Sequence, residues 1–191
     1  MHNNVVNNYS NHIAIIGAGI SGLALGCMLK KINIPVVIFE KSKDISDYGA
    51  GISISPNGIR ILKNLNLYDE VLNVSSNPKK ADFYYGNNKI NSFSIDVVTT
   101  SRQVLYKSLY KKYISMNGEI LFEHELCNAN FDKLELHFLG DKTYKVKHVA
   151  ACDGIKSICR KEVDYKKDPV YSGYSVWRAI VEKKQKIQKL F

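Results

Sequence analysis

Apolar and polar positions follow two different rhythms along this chain. Behind a polar, Asn-rich leader, Met1–Asn11, the run His12-Ile13-Ala14-Ile15-Ile16 is almost solidly apolar. That is the pattern of a short strand buried on both faces. After a glycine-rich break, Leu23 to Lys31 reads as a helix, and Val36-Val37-Ile38-Phe39 is a second solid run. Pro56 suits the first turn of a further helix, which carries Ile59, Leu62 and Leu65 at helical spacing. The rhythm then changes. Ala81–Tyr85 and Lys89–Phe93, joined by Gly86-Asn87-Asn88, form a hairpin signature that interrupts the strand–helix alternation. Thr99-Thr100-Ser101 is placed to cap a helix in which Leu105, Leu109 and Tyr113 recur every fourth residue, and Asn117-Gly118 ends it.

Ile120-Leu121-Phe122 reads as another buried strand. Leu134, Leu136 and Phe138, and after Gly140-Asp141 also Tyr144 and Val146, alternate with polar residues, as in an antiparallel meander with one wet face. Val149-Ala150-Ala151-Cys152 returns to a buried strand, Tyr171–Arg178 reads as a last strand, and Glu182–Lys189 is a polar tail.

The chemistry sits at the breaks. Gly17-Ala18-Gly19-Ile20-Ser21-Gly22 follows the first strand at once and opens the first helix. In such a turn Gly17 allows the tight bend, Gly19 lets the backbone approach a pyrophosphate, and Gly22 lets the helix pack close to the strand. The helix start offers free N–H groups and partial positive charge to that anion. Glu40 ends the second strand, where a carboxylate can accept hydrogen bonds from a ribose. The small residues of Gly49-Ala50-Gly51-Ile52 would let a flat ring system lie close to the backbone, although a plain glycine turn accounts for them equally well. Arg102 falls in a helix first turn, a poor place for a cation unless an anion is near. Asp153-Gly154 ends a strand, at the rim where α/β folds bind ligands.

Composition narrows the class without choosing the function. The 191 residues are 45% hydrophobic and 24% charged, ordinary for a globular chain large enough to bury a core. The formal charge of +9 comes from scattered lysines, clustered only at Lys183-Lys184-Gln185-Lys186, so no nucleic-acid partner is expected. No apolar stretch reaches the roughly 18 residues of a membrane span, and the leader has no apolar signal core, which makes the cytoplasm the expected address. Cys27, Cys127, Cys152 and Cys159 have no zinc or redox spacing and are expected to be free thiols, with Cys27 and Cys152 buried. The five histidines lack metal spacing, and no G-x-S-x-G elbow is present. No metal is expected.

Taken in order, Gly17–Gly22 with Glu40, Gly49–Ile52 with Pro56-Asn57, Arg102, Cys152-Asp153-Gly154 through Ser157 to Arg160, and Tyr171–Tyr174 with Trp177-Arg178 resemble the flavoprotein aromatic hydroxylases, the FAD-dependent monooxygenases of the p-hydroxybenzoate hydroxylase type. The resemblance runs over nearly the whole chain. It implies an α/β fold, a Rossmann-like FAD-binding domain with an interleaved, incomplete β-rich substrate lobe. Residues 12–76 and 98–168 would form the FAD-binding domain, 77–97 a hairpin of the substrate lobe, and 169–191 the start of that lobe. The implied cofactors are FAD and NAD(P)H, which together with O₂ oxygenate an electron-rich ring. The implied cofactor-binding set is Gly17, Ala18, Gly19, Ser21, Gly22, Glu40, Lys41, Ala50, Gly51, Arg102, Leu126, Asp153 and Gly154. Glu40 would hold the adenosine ribose and Arg102 would approach the FAD.

No side chain stands out as a catalytic base, and the partner expected is a small-molecule substrate. The family's later Gly-Asp motif has no counterpart after Arg178, since Gly140-Asp141 lies in a hairpin turn. The chain is therefore expected to be an N-terminal part, a poor hydroxylase alone, with aromatic faces near Phe83–Tyr85 and Trp177 that favour self-association. Two other readings stay open: a nicotinamide-binding dehydrogenase, which shares the glycine turn and Glu40, and a non-catalytic remnant with weak nucleotide binding.

Overall fold

The computed structural model of the chain describes residues 6–45, 49–163 and 169–175, grouped in two compact units. The first unit spans 1–47 and 106–174, and the second 48–105 and 175–191.

The first unit is built on a six-stranded sheet of order β7-β2-β1-β10-β9-β8. Its strands are β1 (Val6–Ile16), β2 (Val36–Phe39), β7 (Glu119–Leu121), β8 (Leu126–Asn130), β9 (Glu135–Phe138) and β10 (Lys142–Ala151). β7, β2, β1 and β10 run parallel, and β9 and β8 extend the sheet antiparallel. Helix α1 (Ile20–Lys31) follows β1, and α4 (Arg102–Ser115) precedes β7. Because side chains alternate across a strand, the solid apolar runs serve two cores at once. Ala14, Ile16, Val37 and Phe39 join Leu136, Phe138, Tyr144 and Val146 in one cluster. Ile15 and Ile38 face the helices instead, where Cβ atoms at Gly22 and Gly26 would touch them and Tyr113 is fully buried.

Phe39 is the hub of the first cluster. Its ring stacks on Phe138 at 4.7 Å and meets Tyr144 edge-on at 4.9 Å. Tyr9 adds a third aromatic edge at 6.1 Å and donates its hydroxyl to Glu119 Oε1 at 3.0 Å. Burial and that bond push the Tyr9 hydroxyl up to about 12.

In the second unit, β3 (Gly51–Ile54) pairs antiparallel with β6 (Val98–Ser101). Helices α2 (Pro56–Asn64) and α3 (Tyr68–Asn73) contribute Ile59, Leu62 and Val71 to a small core with Ile54 and Val98. β4 (Lys80–Tyr85) and β5 (Asn88–Ser94) form the expected hairpin as a sheet of their own. Phe83 and Phe93 meet edge-to-face at 5.5 Å across it, yet Phe83, Tyr84, Tyr85, Ile90 and Phe93 are all exposed. Lys89 and Ser92 bond the Asp82 carboxylate and hold it below its ordinary range.

Several elements differ from their sequence reading. β1 begins at Val6, because the long β10 offers main-chain partners from Thr143 to Val146 to the polar leader, with a register shift between Tyr9 and Ile13. Polar residues can join such a ladder because it pairs backbone groups, which every residue but proline carries. The two runs at Tyr144 and Val149 are one uninterrupted strand, with Cys152 beyond its end and half-exposed. β7 is an edge strand and only half-buried, since β2 alone flanks it. Thr99-Thr100-Ser101 belongs to β6, while Ser101 Oγ still accepts the Val104 N–H at 3.1 Å as a cap. The short α3 was not anticipated. Residues 171–175 form no strand, and Val176–Arg178, the rest of that expected strand, lie outside the described residues.

All four cysteines are free, and Cys27, Cys127, Cys152 and Cys159 differ mainly in burial. Burial pushes the Cys27 thiol up to about 11 and the Cys159 thiol up to about 12. Only exposed Cys127 should react quickly with a disulfide reagent near pH 8, and Cys27 and Cys159 only after denaturant is added. Rapid labelling of Cys27 or Cys159 in the folded chain, read by mass spectrometry, would contradict this packing.

Candidate functional site

The turn after β1 is shaped by what cannot fit there. Gly17 has φ +100°, a left-handed conformation that side chains disfavour, and a Cβ on it would stand 2.6 Å from the Cys152 carbonyl oxygen. A Cβ on Gly22 would collide with the carbonyl oxygen of Gly17. These two glycines are demanded by the fold. Gly19 is not: its φ of −71° and ψ of −178° suit any residue, and a Cβ there would meet nothing within 4 Å. Neither its conformation nor its neighbours demand glycine, and the open space before the turn is left free for an occupant.

That space faces the start of α1. Gly19 is the N-cap, with no side-chain cap bond and no acidic residue in the first turn. Leu23 N–H already bonds the Gly19 carbonyl at 2.9 Å. The N–H groups of Ile20, Ser21 and Gly22, together with the helix dipole, are thus disposed toward an anion.

Glu40 stands directly after β2. Its Oε2 accepts the Ala18 N–H at 2.7 Å and its Oε1 accepts the Ser42 N–H at 2.9 Å. The strand-end carboxylate and the glycine turn are therefore in contact, and each oxygen keeps lone-pair capacity for a further donor. Lys41 beside it is exposed. On the other side of β1, Asp153 follows β10, and its Cα lies 3.4 Å from where a Gly17 Cβ would be. Asp153 Oδ2 accepts the N–H groups of Ile158 at 2.8 Å and Cys159 at 3.2 Å, which pins the loop into α5 (Cys159–Val163). Gly154, exposed at φ +76°, makes that loop's bend. The ends of three parallel strands so bring Gly17–Gly22, Glu40 and Asp153 to one rim. Leu126 has its side chain in the core cluster, leaving its main chain for any ligand contact.

Ala50, Gly51 and Arg102 form a separate cluster within the second unit. Arg102 N–H donates to the Ala50 carbonyl at 3.0 Å, and its side-chain stem lies where a Gly49 Cβ would be. Gly49 has φ +142°, so it is constrained twice, as Gly17 is. Sequence reasoning missed Ser42, whose N–H holds Glu40, and His124, which is buried and hydrogen-bonded at both ring nitrogens. Neither belongs to a spacing that marks it. Among the described residues no group of His, Cys, Asp and Glu is arranged to hold a metal, and no helix is long and apolar enough to cross a membrane.

A parallel sheet with a glycine turn, an uncapped helix start and a strand-end carboxylate defines a dinucleotide-binding α/β domain. Within that class the FAD binding domain family matches residues 10–187, and the chain belongs to that family. It is 29% identical over 164 residues to the FAD-dependent monooxygenase pytG of Aspergillus terreus, covering 78% of this chain and 49% of the relative. It is 26% identical over 181 residues to 3-amino-4-hydroxybenzoate 2-monooxygenase of Streptomyces cremeus, covering 88% of this chain and 46% of the relative. The chain spans about half the length of the curated relatives it matches. The solved tetrameric form of 2-methyl-3-hydroxypyridine-5-carboxylic acid oxygenase shares the fold, with a TM-score of 0.75 at 23% identity over 82% of this chain and 43% of that one.

The glycines separate fold from ligand in a testable way. Gly19→Ala should fold with a stability within about 1 kcal/mol of the parent yet lose affinity for FAD. Gly22→Ala should lose several degrees of melting temperature or fail to fold. A Gly19→Ala protein that melts far below the parent would show that packing, and not a ligand, fixes this residue.

Proposed function

We propose that this chain is the FAD-binding part of an NAD(P)H-dependent flavin monooxygenase that hydroxylates an aromatic or related small organic substrate. The observation that carries the reading is the uncapped helix start after β1 with the Glu40 carboxylate alongside, approached over a Gly19 that neither its φ nor its packing requires. The residues present fit FAD. The N–H groups of Ile20, Ser21 and Gly22 would hold the diphosphate, and the remaining lone pairs of Glu40 would take the adenosine ribose. The proposed cofactor-binding set also includes Lys41, Leu126, Asp153 and Gly154 of the first unit and, in the second unit, Ala50, Gly51 and Arg102.

FAD, when bound, supplies hydride acceptance from NAD(P)H and the activation of O₂. The protein's part is to bind, to orient and to keep water out. In this reading 12–76 and 98–168 hold the cofactor, and the hairpin 77–97 with 169–191 opens the substrate lobe. Relatives whose names specify an aminohydroxybenzoate or a hydroxynicotinate substrate support an electron-rich ring as the substrate class.

The test is titration of the purified chain with FAD, followed by NADH and NADPH oxidation with and without phenolic compounds. Binding with a flavin spectrum is expected, and Glu40→Gln should weaken it by about 1–3 kcal/mol if a charge-assisted bond to ribose is lost. A colourless protein that binds NAD and not FAD would support a nicotinamide dehydrogenase instead. Unchanged FAD affinity in Glu40→Gln would remove the ribose assignment.

A further inference from the structure

His124 has no part in the site as described, yet both of its ring nitrogens and its backbone N–H are committed. Its Nδ1 lies 2.7 Å from the Phe122 carbonyl oxygen and its Nε2 2.7 Å from the Tyr144 hydroxyl. A carbonyl can only accept, so Nδ1 bears the hydrogen, and in the neutral ring Nε2 accepts from Tyr144. The His124 N–H donates to the Glu40 carbonyl at 2.9 Å. Around the ring stand Phe39, Phe138 and Tyr144, with centroids 5.7, 5.4 and 5.3 Å away.

These bonds converge on a strained turn. Glu123 has φ +55°, a left-handed conformation that a non-glycine residue keeps only where its surroundings over-determine it. The Nδ1–H bond to Phe122 spans Glu123 and closes the turn. Across from it, Glu40 N–H donates to the Leu121 carbonyl at 2.9 Å and Glu123 N–H to the Ser42 carbonyl at 3.0 Å. Residues 40–42 are thus laced to 121–124, and the main chain that carries the Glu40 carboxylate is set from that side.

We infer that His124 is a positioning residue for the adenosine end of the cofactor site: fastened by Tyr144 and Phe122, it holds the Glu123 turn and, through it, the Glu40 carboxylate against the glycine turn. The inference rests on the reading that Glu40 meets the ribose. A histidine that merely stabilised the sheet would affect all of its amides alike. One that positions Glu40 acts first on the two N–H groups that the carboxylate accepts, those of Ala18 and Ser42.

Amide hydrogen exchange of the full chain, resolved by NMR, reads this without any ligand. His124→Phe keeps a ring and no polar atom, His124→Asn keeps a donor near the Nδ1 position, and Tyr144→Phe removes a single hydroxyl. Ala18 and Ser42 should exchange at least tenfold faster in His124→Phe, less so in Tyr144→Phe, with partial recovery in His124→Asn and α4 amides unchanged. Uniform acceleration across the sheet, or none at Ala18 and Ser42, overturns the inference. If His124→Phe does not fold, Tyr144→Phe carries the comparison. Titration with ADP adds a second reading: losses from His124→Phe and Glu40→Gln should overlap, so that the double variant binds no more weakly than the weaker single one. Additive losses count against His124 acting through Glu40. A wild-type chain that binds no ADP ends the cofactor reading, while the exchange data still decide whether His124 holds Glu40.

Discussion

At Gly22 no side chain of α1 stands between the helix and the end of β1, and the rest of the site depends on that closeness. The Gly22 backbone rests on the carbonyl of Gly17, which leaves no room for a Cβ at Gly22. The helix therefore begins directly over the strand end, with its first N–H groups uncapped. The same turn is tied sideways. Gly17 N–H donates to the Phe39 carbonyl at 2.8 Å, and Cys152 N–H donates to the Ile16 carbonyl at 2.9 Å. Three parallel strands consequently end level, and Gly17, Glu40 and, one residue past Cys152, Asp153 share one rim. Were α1 held farther off, the Ala18 N–H could not reach Glu40, and the carboxylate would have only Ser42 to orient it.

In the proposed reading Glu40 would serve a ribose well because it is already held. A carboxylate that must be ordered when a ribose arrives loses side-chain freedom at that moment, and affinity falls accordingly. Here two backbone donors fix it beforehand and leave lone pairs over. Asp153 works otherwise: its Oδ2 is engaged with the Ile158 and Cys159 amides, so it shapes its own loop. Two acids at neighbouring strand ends thus hold different duties, one toward the glycine turn and one toward α5.

What could be read from sequence is what depends on local pattern. The solid runs at Ile13–Ile16 and Val36–Phe39, the glycine turn, the strand-end Glu40, the hairpin around Gly86 and the cap at Ser101 all follow from period, turn chemistry and spacing. What escaped depends on distant partners. The leader joins β1 only because β10 is long enough to pair with it, and Thr99–Ser101 becomes a strand only because β3 lies beside it. The half-burial of β7 is a matter of sheet order, which its own apolar residues do not reveal. His124 was invisible for the same reason, since its meaning lies in Tyr144 and Glu40, far from it along the chain.

β10 shows why the core and the rim cannot be treated separately. Tyr144, near its start, lies in the aromatic cluster and bonds His124, while Asp153 follows its end beside Gly17. Main-chain pairing to β1 runs from Val6 to Ile16 along the same strand. Tyr144 is thus linked through His124 to Glu40, from the strand whose other end leads to Asp153. The aromatic cluster packs around Phe39, the residue before Glu40, and His124 of that cluster donates its N–H to the Glu40 carbonyl. Phe39 joins the two levels most directly: its ring packs in that cluster, its carbonyl accepts the Gly17 N–H, and the next residue is Glu40.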